Sequence, residues 1–200
     1  LNEAGLPQST GVSEKIGDQQ ADCMLGWNNS FRYKNFALSF QIDGRLGGDI
    51  YSYTNYALQI AGRAECTAPG GMREDFVVDG VIRQQDGSYA PSTIKVSQQD
   101  YWQAIGTGNT GIGEANIYDA TNIRLRNIAL NYSFPSSMLK KTIFQQLKLG
   151  FSINNVWMIY SDMNGIDPEA VFITNTNATG FENCASPTSR SYLFNVTLGF

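Results

Sequence analysis

Large and small side chains alternate with a period of two in five stretches of this chain. In Leu25-Gly26-Trp27-Asn28-Asn29-Ser30-Phe31-Arg32-Tyr33 the odd positions are mostly large and apolar, and the even ones small or polar. After Lys34-Asn35 the pattern restarts, with Phe36, Leu38, Phe40 and Ile42 set against Ala37, Ser39, Gln41, Asp43 and Arg45. Two such runs across a two-residue break predict a tight β-hairpin. The third run, Ile123 to Phe134, changes phase halfway. Ile128, Leu130, Tyr132 and Phe134 alternate with Ala129, Asn131 and Ser133, but Ile123 and Leu125 lie in the opposite phase, between Arg124 and Arg126. One extra residue reconciles the halves, so a β-bulge is expected near Arg126 to Ile128. Without it both arginines would join the apolar face.

The fourth run sets Leu147, Leu149, Phe151 and Ile153 against Lys148, Gly150, Ser152 and Asn154. The fifth sets Tyr192, Phe194, Val196, Leu198 and Phe200 against Ser191, Leu193, Asn195, Thr197 and Gly199, with Leu193 the one apolar exception. A soluble sandwich studs its outer face with Lys and Glu. Here the polar face is Ser, Asn, Gly, Thr and Gln, which suits the water-filled inside of a wide barrel whose outside is lipid. Each run is ~10 residues, the length a tilted strand needs to cross a bilayer. Short and long connections alternate, as turns and loops do on the two sides of outer-membrane barrels. Tyr33, Phe36, Tyr132, Phe134 and Phe200 fall at one set of strand ends, and Trp27, Trp157, Tyr160 and Tyr192 near the other. Two such girdles are what the two membrane interfaces favour.

The reading is therefore all-β: about five antiparallel strands of a transmembrane β-barrel with long extracellular loops. Residues 1–22 are expected as an extracellular loop and 23–46 as a hairpin of the barrel. A long extracellular loop with a small hairpin fills 47–116, a strand 117–134 and a periplasmic turn 135–145. A strand at 146–160, an extracellular loop at 161–187 and a closing strand at 188–200 complete the wall.

Composition narrows the chemistry. There is no histidine among the 200 residues, so Ser-His, Cys-His and His-metal sites are out within this chain. Fourteen basic against eighteen acidic residues, without a Lys/Arg cluster, argue against nucleic acid. No apolar run reaches the ~18 residues of a membrane helix. Cys23, Cys66 and Cys184 are odd in number and show no CxxC spacing; they read as loop thiols, or as one pair plus a spare. The chain starts at Leu1 without an initiator methionine or signal segment, and is expected to be a mature portion or fragment.

Several motifs together resemble one family. Phe31-Arg-Tyr-Lys-Asn-Phe-Ala-Leu-Ser-Phe-Gln-Ile-Asp-Gly-Arg-Leu-Gly-Gly-Asp-Ile-Tyr51 is similar to a stretch near the end of SusC/RagA-family TonB-dependent transporters. Ile117-Tyr-Asp-Ala-Thr-Asn-Ile-Arg-Leu-Arg-Asn-Ile-Ala-Leu-Asn-Tyr-Ser-Phe-Pro135 resembles that family's next strand. Ile153-Asn154-Asn155-Val156-Trp157, Gly165-Ile-Asp-Pro-Glu169 and Pro187-Thr-Ser-Arg-Ser191 follow in the same order. The resemblance implies a carboxyl-terminal part of a barrel of about 22 strands. It further implies TonB-driven import of glycan or peptide fragments beneath a SusD-like surface lipoprotein. The plug domain and TonB-contacting segment would lie in an N-terminal region outside this chain. Outer-membrane lipid is the remaining partner, and the implied location is the bacterial outer membrane.

No catalytic constellation, cofactor or metal site is legible. Gly106 to Gly113 has GxG spacing but no strand-then-helix context for a nucleotide. Asp162-Met-Asn-Gly-Ile-Asp167 with Glu169 echoes a calcium loop with the wrong spacing, and reads as a surface turn before Pro168. Nothing in the sequence brings Asp43, Asp162 and Glu169 together. Phe76-Val-Val-Asp-Gly80 and Val81 to Tyr89 are expected to form the small hairpin. Substrate contact is expected from Asp43, Arg45, Arg124, Arg126 and Asn154 on the polar face, and from the loop aromatics Tyr101 and Trp102. The alternatives from other classes are a soluble all-β carbohydrate-binding or adhesion module, and a secreted β-rich hydrolase. Burial of Phe194, Val196 and Leu198 in a closed two-sheet core would speak against the barrel.

Overall fold

The computed structural model describes residues 1–106, 111–163, 165–171, 173–174 and 176–200; part of the Gly106 to Gly113 stretch lies outside them. The elements in chain order are β1 (Cys23–Tyr33), β2 (Phe36–Leu46), β3 (Asp49–Ser52), α1 (Tyr53–Ile60), β4 (Phe76–Val77), β5 (Val81–Arg83) and β6 (Tyr89–Pro91). They continue with β7 (Lys95–Val96), α2 (Gln98–Ile105), β8 (Ile117–Asp119), β9 (Asn122–Ser133), α3 (Ser136–Leu139), β10 (Gln146–Ser161), β11 (Phe181–Glu182) and β12 (Ser191–Gly199). They divide into two compact units. One comprises Leu1–Gln19, Ile50–Tyr118 and Val171–Ala185, the other Gln20–Asp49, Asp119–Ala170 and Ser186–Phe200. No helix among the described residues is long and apolar enough to cross a membrane.

The second unit is a five-stranded antiparallel sheet in the order β1-β2-β9-β10-β12. The β1–β2 hairpin turns through Lys34 and Asn35, with Lys34 in the left-handed region at φ 51°. Register carries the alternation from strand to strand. Leu38 pairs Phe31 and Leu130, Leu130 pairs Phe151, and Phe151 pairs Phe194. One face of the sheet is thus apolar across all five strands. Its rings touch between strands, as Phe36–Tyr132 do at 4.6 Å and Phe151–Phe194 at 4.8 Å between centroids. Such cross-strand pairs contribute roughly 0.2–1 kcal/mol each.

This face is uncovered within its unit. Phe194 is 79% exposed, Val196 62% and Trp27 60%. A closed two-sheet core would have buried the first two, so this sheet is not one half of such a core.

The bulge sits where the phase change demands it. Gln41 pairs Asn127 but Ile42 pairs Leu125, so Arg126 is the extra residue against β2. Against β10, Asn127 pairs Asn154 and Leu125 pairs Trp157, which leaves Asn155 and Val156 opposite Arg126. Asn155 takes a left-handed conformation there, φ 50°, which Asn tolerates better than most residues. Leu125 and Ile128 consequently share the apolar face, and both arginines turn to the polar one.

The first unit differs from expectation in three respects. The expected strand 117–134 is two strands: β8 joins a three-stranded sheet in the order β11-β3-β8, and only Asn122–Ser133 continues in the large sheet. Val81–Arg83 does form a hairpin with Tyr89–Pro91, but Phe76–Val77 pairs instead with Lys95–Val96. The long connection also holds two helices. Ser52 caps α1, its Oγ accepting from Asn55 N at 3.2 Å, and Ser97 caps α2, its Oγ accepting from Asp100 N at 3.1 Å. Ile50, Val78, Val96 and Ile105 are buried in this unit, and the thiols of Cys66 and Cys184 are exposed and unpaired.

Deleting Arg126 should remove the extra residue and turn Arg124 towards the apolar face, because a one-residue slip flips every side chain beyond it. The deletion is expected to abolish the protease-resistant sheet seen by limited proteolysis and mass spectrometry. Arg126→Ala, which keeps the residue count, should retain it; equal resistance in both variants would contradict this role for the bulge.

Candidate functional site

The polar face of the large sheet gathers charges that the sequence scatters over 145 positions, from Asp43 to Thr188. Alternation places Asp43 opposite Arg124 in the β2–β9 register, and the bulge adds Arg126 beside it. Arg126 Nε donates to Asp43 Oδ2 at 2.8 Å, while its two Nη atoms donate to the Glu169 oxygens at 2.8 and 2.6 Å. That fork-on-fork geometry is the strongest form of an Arg–carboxylate pair. Gln41 Nε2 donates to the other Asp43 oxygen at 2.8 Å.

Arg124 lies deeper. Its side chain is 4% exposed and that of its partner Asp167 8%. Arg124 Nη2 donates to Asp167 Oδ1 at 2.5 Å and Nη1 to Thr188 Oγ1 at 2.8 Å, with Glu169 Oε2 3.4 Å from Nη1. Asp167 also accepts from the Thr188 hydroxyl at 2.6 Å and backbone N–H at 2.9 Å, and from Glu169 N at 3.0 Å. Burial alone would raise its pKa. The Arg124 guanidinium, the Thr188 donors and Glu169 N outweigh burial and hold the carboxyl well below the usual carboxylate range.

Two cations therefore share three carboxylates, and each carboxylate accepts at least one charge-assisted bond. Each of these three carboxylates faces an arginine. The cluster is a clamp: it fastens the segment around Asp167 and Glu169, and the start of the closing strand at Thr188, to the polar face of β9. Asp43 and Glu169 are brought together after all, by the arginine between them. Asp162 is not; it accepts from the Tyr160 hydroxyl instead, at 2.6 Å.

Next to the clamp runs a row of amides in one register line: Asn28, Gln41, Asn127, Asn154 and Ser191, one from each strand. Asn127 Nδ2 donates to Asn154 Oδ1 at 2.6 Å, and Asn154 Nδ2 to Ser191 Oγ at 3.0 Å. Side-chain amides and hydroxyls that offer both donors and acceptors along a line can exchange partners with a polar chain passing over them. Of the seven residues expected to meet substrate, Asp43, Arg124, Arg126 and Asn154 thus fall in one connected patch. Arg45 is nearby in β2, with Nε donating to Gly47 O at 3.3 Å. Tyr101 and Trp102 belong to α2 in the other unit, where their rings meet edge to face at 5.1 Å. Burial, and secondarily the nearby Cys66, push the Tyr101 hydroxyl pKa up, so the ring stays neutral. Sequence reasoning missed Asp167, Glu169 and Thr188. Their signals were the Gly165–Glu169 and Pro187–Ser191 motifs and an acidic pair two and four residues past Gly165, none of which shows which strand the loop meets.

No family model matches this chain. Among curated proteins it is 27% identical over 197 residues to TonB-dependent receptor P3 of Formosa agariphila, covering 96% of this chain and 18% of that protein. It is 29% identical over 187 residues to TonB-dependent receptor P39 of the same organism, covering 92% and 17%. The chain therefore spans less than a fifth of the length of these relatives. Its fold is similar to part of the RagAB peptide importer. In the closed-closed state the TM-score is 0.60 at 14% identity, over 94% of this chain and 18% of that one. In the open-open state it is 0.59 at 15% identity, over 88% and 17%. The resemblance carried by the Phe31–Tyr51 and Ile117–Pro135 motifs thus extends over most of the chain.

Asp167→Asn removes the charged partner of a buried guanidinium and should destabilise the clamp by about 3 kcal/mol, read as a lower melting temperature of the sheet. The pH dependence has a fixed sign. A carboxyl whose folded pKa is depressed stabilises the fold above its unfolded pKa of about 4, and that stability is lost as pH falls through the folded value. The protection of the amides in 165–170, measured as exchange relative to the unstructured chain at each pH, should therefore stay flat from neutral pH down to about 5 and fall only in strong acid; a loss of protection near neutrality would contradict the assignment.

Proposed function

We propose that this chain forms wall and extracellular loops of an outer-membrane TonB-dependent transporter that imports glycan or peptide fragments. In this reading the five-stranded sheet is one stretch of a transmembrane barrel of about 22 strands, and β1 and β12 pair with further strands of the same barrel. The apolar face meets lipid and the polar face lines the conduit. The observation that carries the reading is the opposition of these two faces. Large apolar residues stay exposed across all five strands, while Arg124 and Arg126 on the other side are ion-paired with carboxylates.

The strands at 23–46, around 122–134, at 146–160 and at 188–200 then cross the bilayer. Segments 1–22, 47–116 and 161–187 lie outside the cell, and 135–145 turns in the periplasm. Asp43, Arg45, Arg124, Arg126 and Asn154 contact the passing substrate or hold the loop that does, and Tyr101 and Trp102 meet it from a loop. A SusD-like surface lipoprotein and, through an N-terminal region, TonB complete the machine. The sequence likeness to TonB-dependent receptors and the fold likeness to a peptide importer support this reading. Neither relative's name mentions catalysis, in keeping with a transporter.

The test is uptake by intact cells of a fluorescent oligosaccharide and a fluorescent oligopeptide. At least one should enter only when the gene for the full protein and tonB are both present; uptake indifferent to both deletions would reject the proposal. Orientation has its own test. Val196→Arg should cost about 2–4 kcal/mol if the residue sits near the bilayer midplane, and lower the yield of protein inserted into lipid vesicles. Asn195→Arg, one residue along the same strand, should leave the yield unchanged.

A further inference from the structure

Charge is segregated along the large sheet. Segments 23–42, 120–161 and 183–200 hold nearly all of it and contain no Asp or Glu, so all eighteen acidic residues of the chain lie elsewhere. Near the loop end of the sheet Arg124 and Arg126 meet Asp43, Asp167 and Glu169, and Arg190 donates to the carbonyls of Asn155 and Val156. The opposite end carries the Lys34-Asn35 turn and the link 134–145 between β9 and β10. There Arg32, Lys34, Lys140, Lys141 and Lys148 are exposed, and none of them forms an ion pair with a described residue.

The link is short and folded back on the sheet. Phe134 N donates to Leu147 O at 2.9 Å and Gln145 N to Gly199 O at 2.8 Å, and the Phe144 and Phe200 rings meet at 5.4 Å. Within it Leu139 is buried, while Met138 is 60% and Ile143 76% exposed. Lys140 and Lys141 stand between these two exposed apolar side chains. The hairpin turn lies alongside, because Ser133 N donates to Asn35 O at 2.9 Å. Lys34 Nζ sits 5.3 Å from the centroid of the Tyr33 ring, and Tyr33, Phe36 and Phe200 are exposed as well. Arg32 and Lys148 alternate onto the polar face, Lys148 pairing Ser133 and Thr197. They face away from this apolar border.

Water gives no reason to expose methionine, isoleucine and aromatic rings beside unpaired lysines. A lipid surface does. Rings and aliphatic side chains enter the edge of the hydrocarbon, and lysine stems follow them with the ammonium left at the phosphate level. We infer that Lys34, Lys140 and Lys141 form a rim that binds the phosphate groups of anionic phospholipids, with Met138 and Ile143 seated in the acyl-chain edge beside them. The inference rests on the membrane reading of the sheet and adds which headgroup its turn end selects. A zwitterionic headgroup fits less well, since the lysines that draw its phosphate repel its ammonium. Each lysine close to an anionic surface strengthens the attraction about fivefold.

The test inserts the full protein into vesicles of phosphatidylcholine and phosphatidylglycerol in equal amounts, extracts it in mild detergent and counts the retained lipids by native mass spectrometry. Phosphatidylglycerol should be retained in preference to phosphatidylcholine. Lys140→Gln combined with Lys141→Gln should lower that preference about 25-fold, and extraction in about 1 M salt should lower it too. Lys140→Arg combined with Lys141→Arg should keep it. Lys15→Gln, at a lysine already paired with Asp18, should leave it unchanged. Equal retention of the two lipids would overturn the inference. So would a preference that the double glutamine variant does not move, which is the result expected if the lysines serve an acidic protein instead. Vesicles of phosphatidylcholine alone separate the two readings. Protein that inserts but shows no headgroup preference rejects the lipid rim only; protein that inserts into neither kind of vesicle rejects the membrane reading and the rim with it.

Discussion

A guanidinium cannot lie unpaired among isoleucine, leucine and tyrosine side chains, and β9 carries two of them within its most apolar stretch. The bulge at Arg126 answers that constraint. By adding one residue it lets Ile123 and Leu125 stay in phase with Ile128 and Leu130 while Arg124 and Arg126 turn to the opposite face. Much of the second unit follows from this turn. Asp43 comes opposite Arg124 by register, Glu169 closes on Arg126 from one side, and Asp167 with Thr188 closes on Arg124 from the other. The segment before the closing strand is held to the sheet by these bonds, together with the buried Met163, Pro168 and Ala170.

The clamp and the amide row divide the polar face into two kinds of surface. In the clamp the charges are paired with one another. The amides of Asn28, Gln41, Asn127 and Asn154 are neutral and lie in a line that crosses the strands. A conduit needs both: fixed loops that set its shape, and a wall whose polar groups can be exchanged without leaving a charge unpaired. The opposite face needs only to be apolar and continuous, and its exposed rings meet that requirement.

Much of the large sheet was legible because strand physics is local. Period two, a two-residue turn at Lys34-Asn35 and a phase slip in one run were enough to place the hairpin and the bulge. The smaller unit was less legible. Helices α1 and α2 each run for eight residues, too few for a 3.6-residue period to stand out, although the caps Ser52 and Ser97 were visible. The pairing of Phe76–Val77 with Lys95–Val96 spans two residues on each side and leaves no pattern to read. Strand β8 looked continuous with β9 because Ile117 and Ile123 lie in the same phase; the break at Ala120 and Thr121 turns the chain into another sheet. In the candidate site the arginines and Asp43 were found because they sit on strands whose faces the alternation fixes. Asp167 and Glu169 were not, since a loop has no register and only the fold shows which strand it returns to.

The central claim is that neighbouring residues of one strand face two different solvents. Spin-label accessibility along β12 tests it most directly, with nitroxides attached at Phe194→Cys, Asn195→Cys, Val196→Cys and Thr197→Cys in a cysteine-free background of the full protein in lipid vesicles. Accessibility to oxygen, which concentrates in lipid, and to a water-soluble nickel chelate should oscillate with period two and in opposite phase, with oxygen highest at 194 and 196 and nickel highest at 195 and 197. Oscillation of both in the same phase, or nickel access at 194 and 196, would contradict the account.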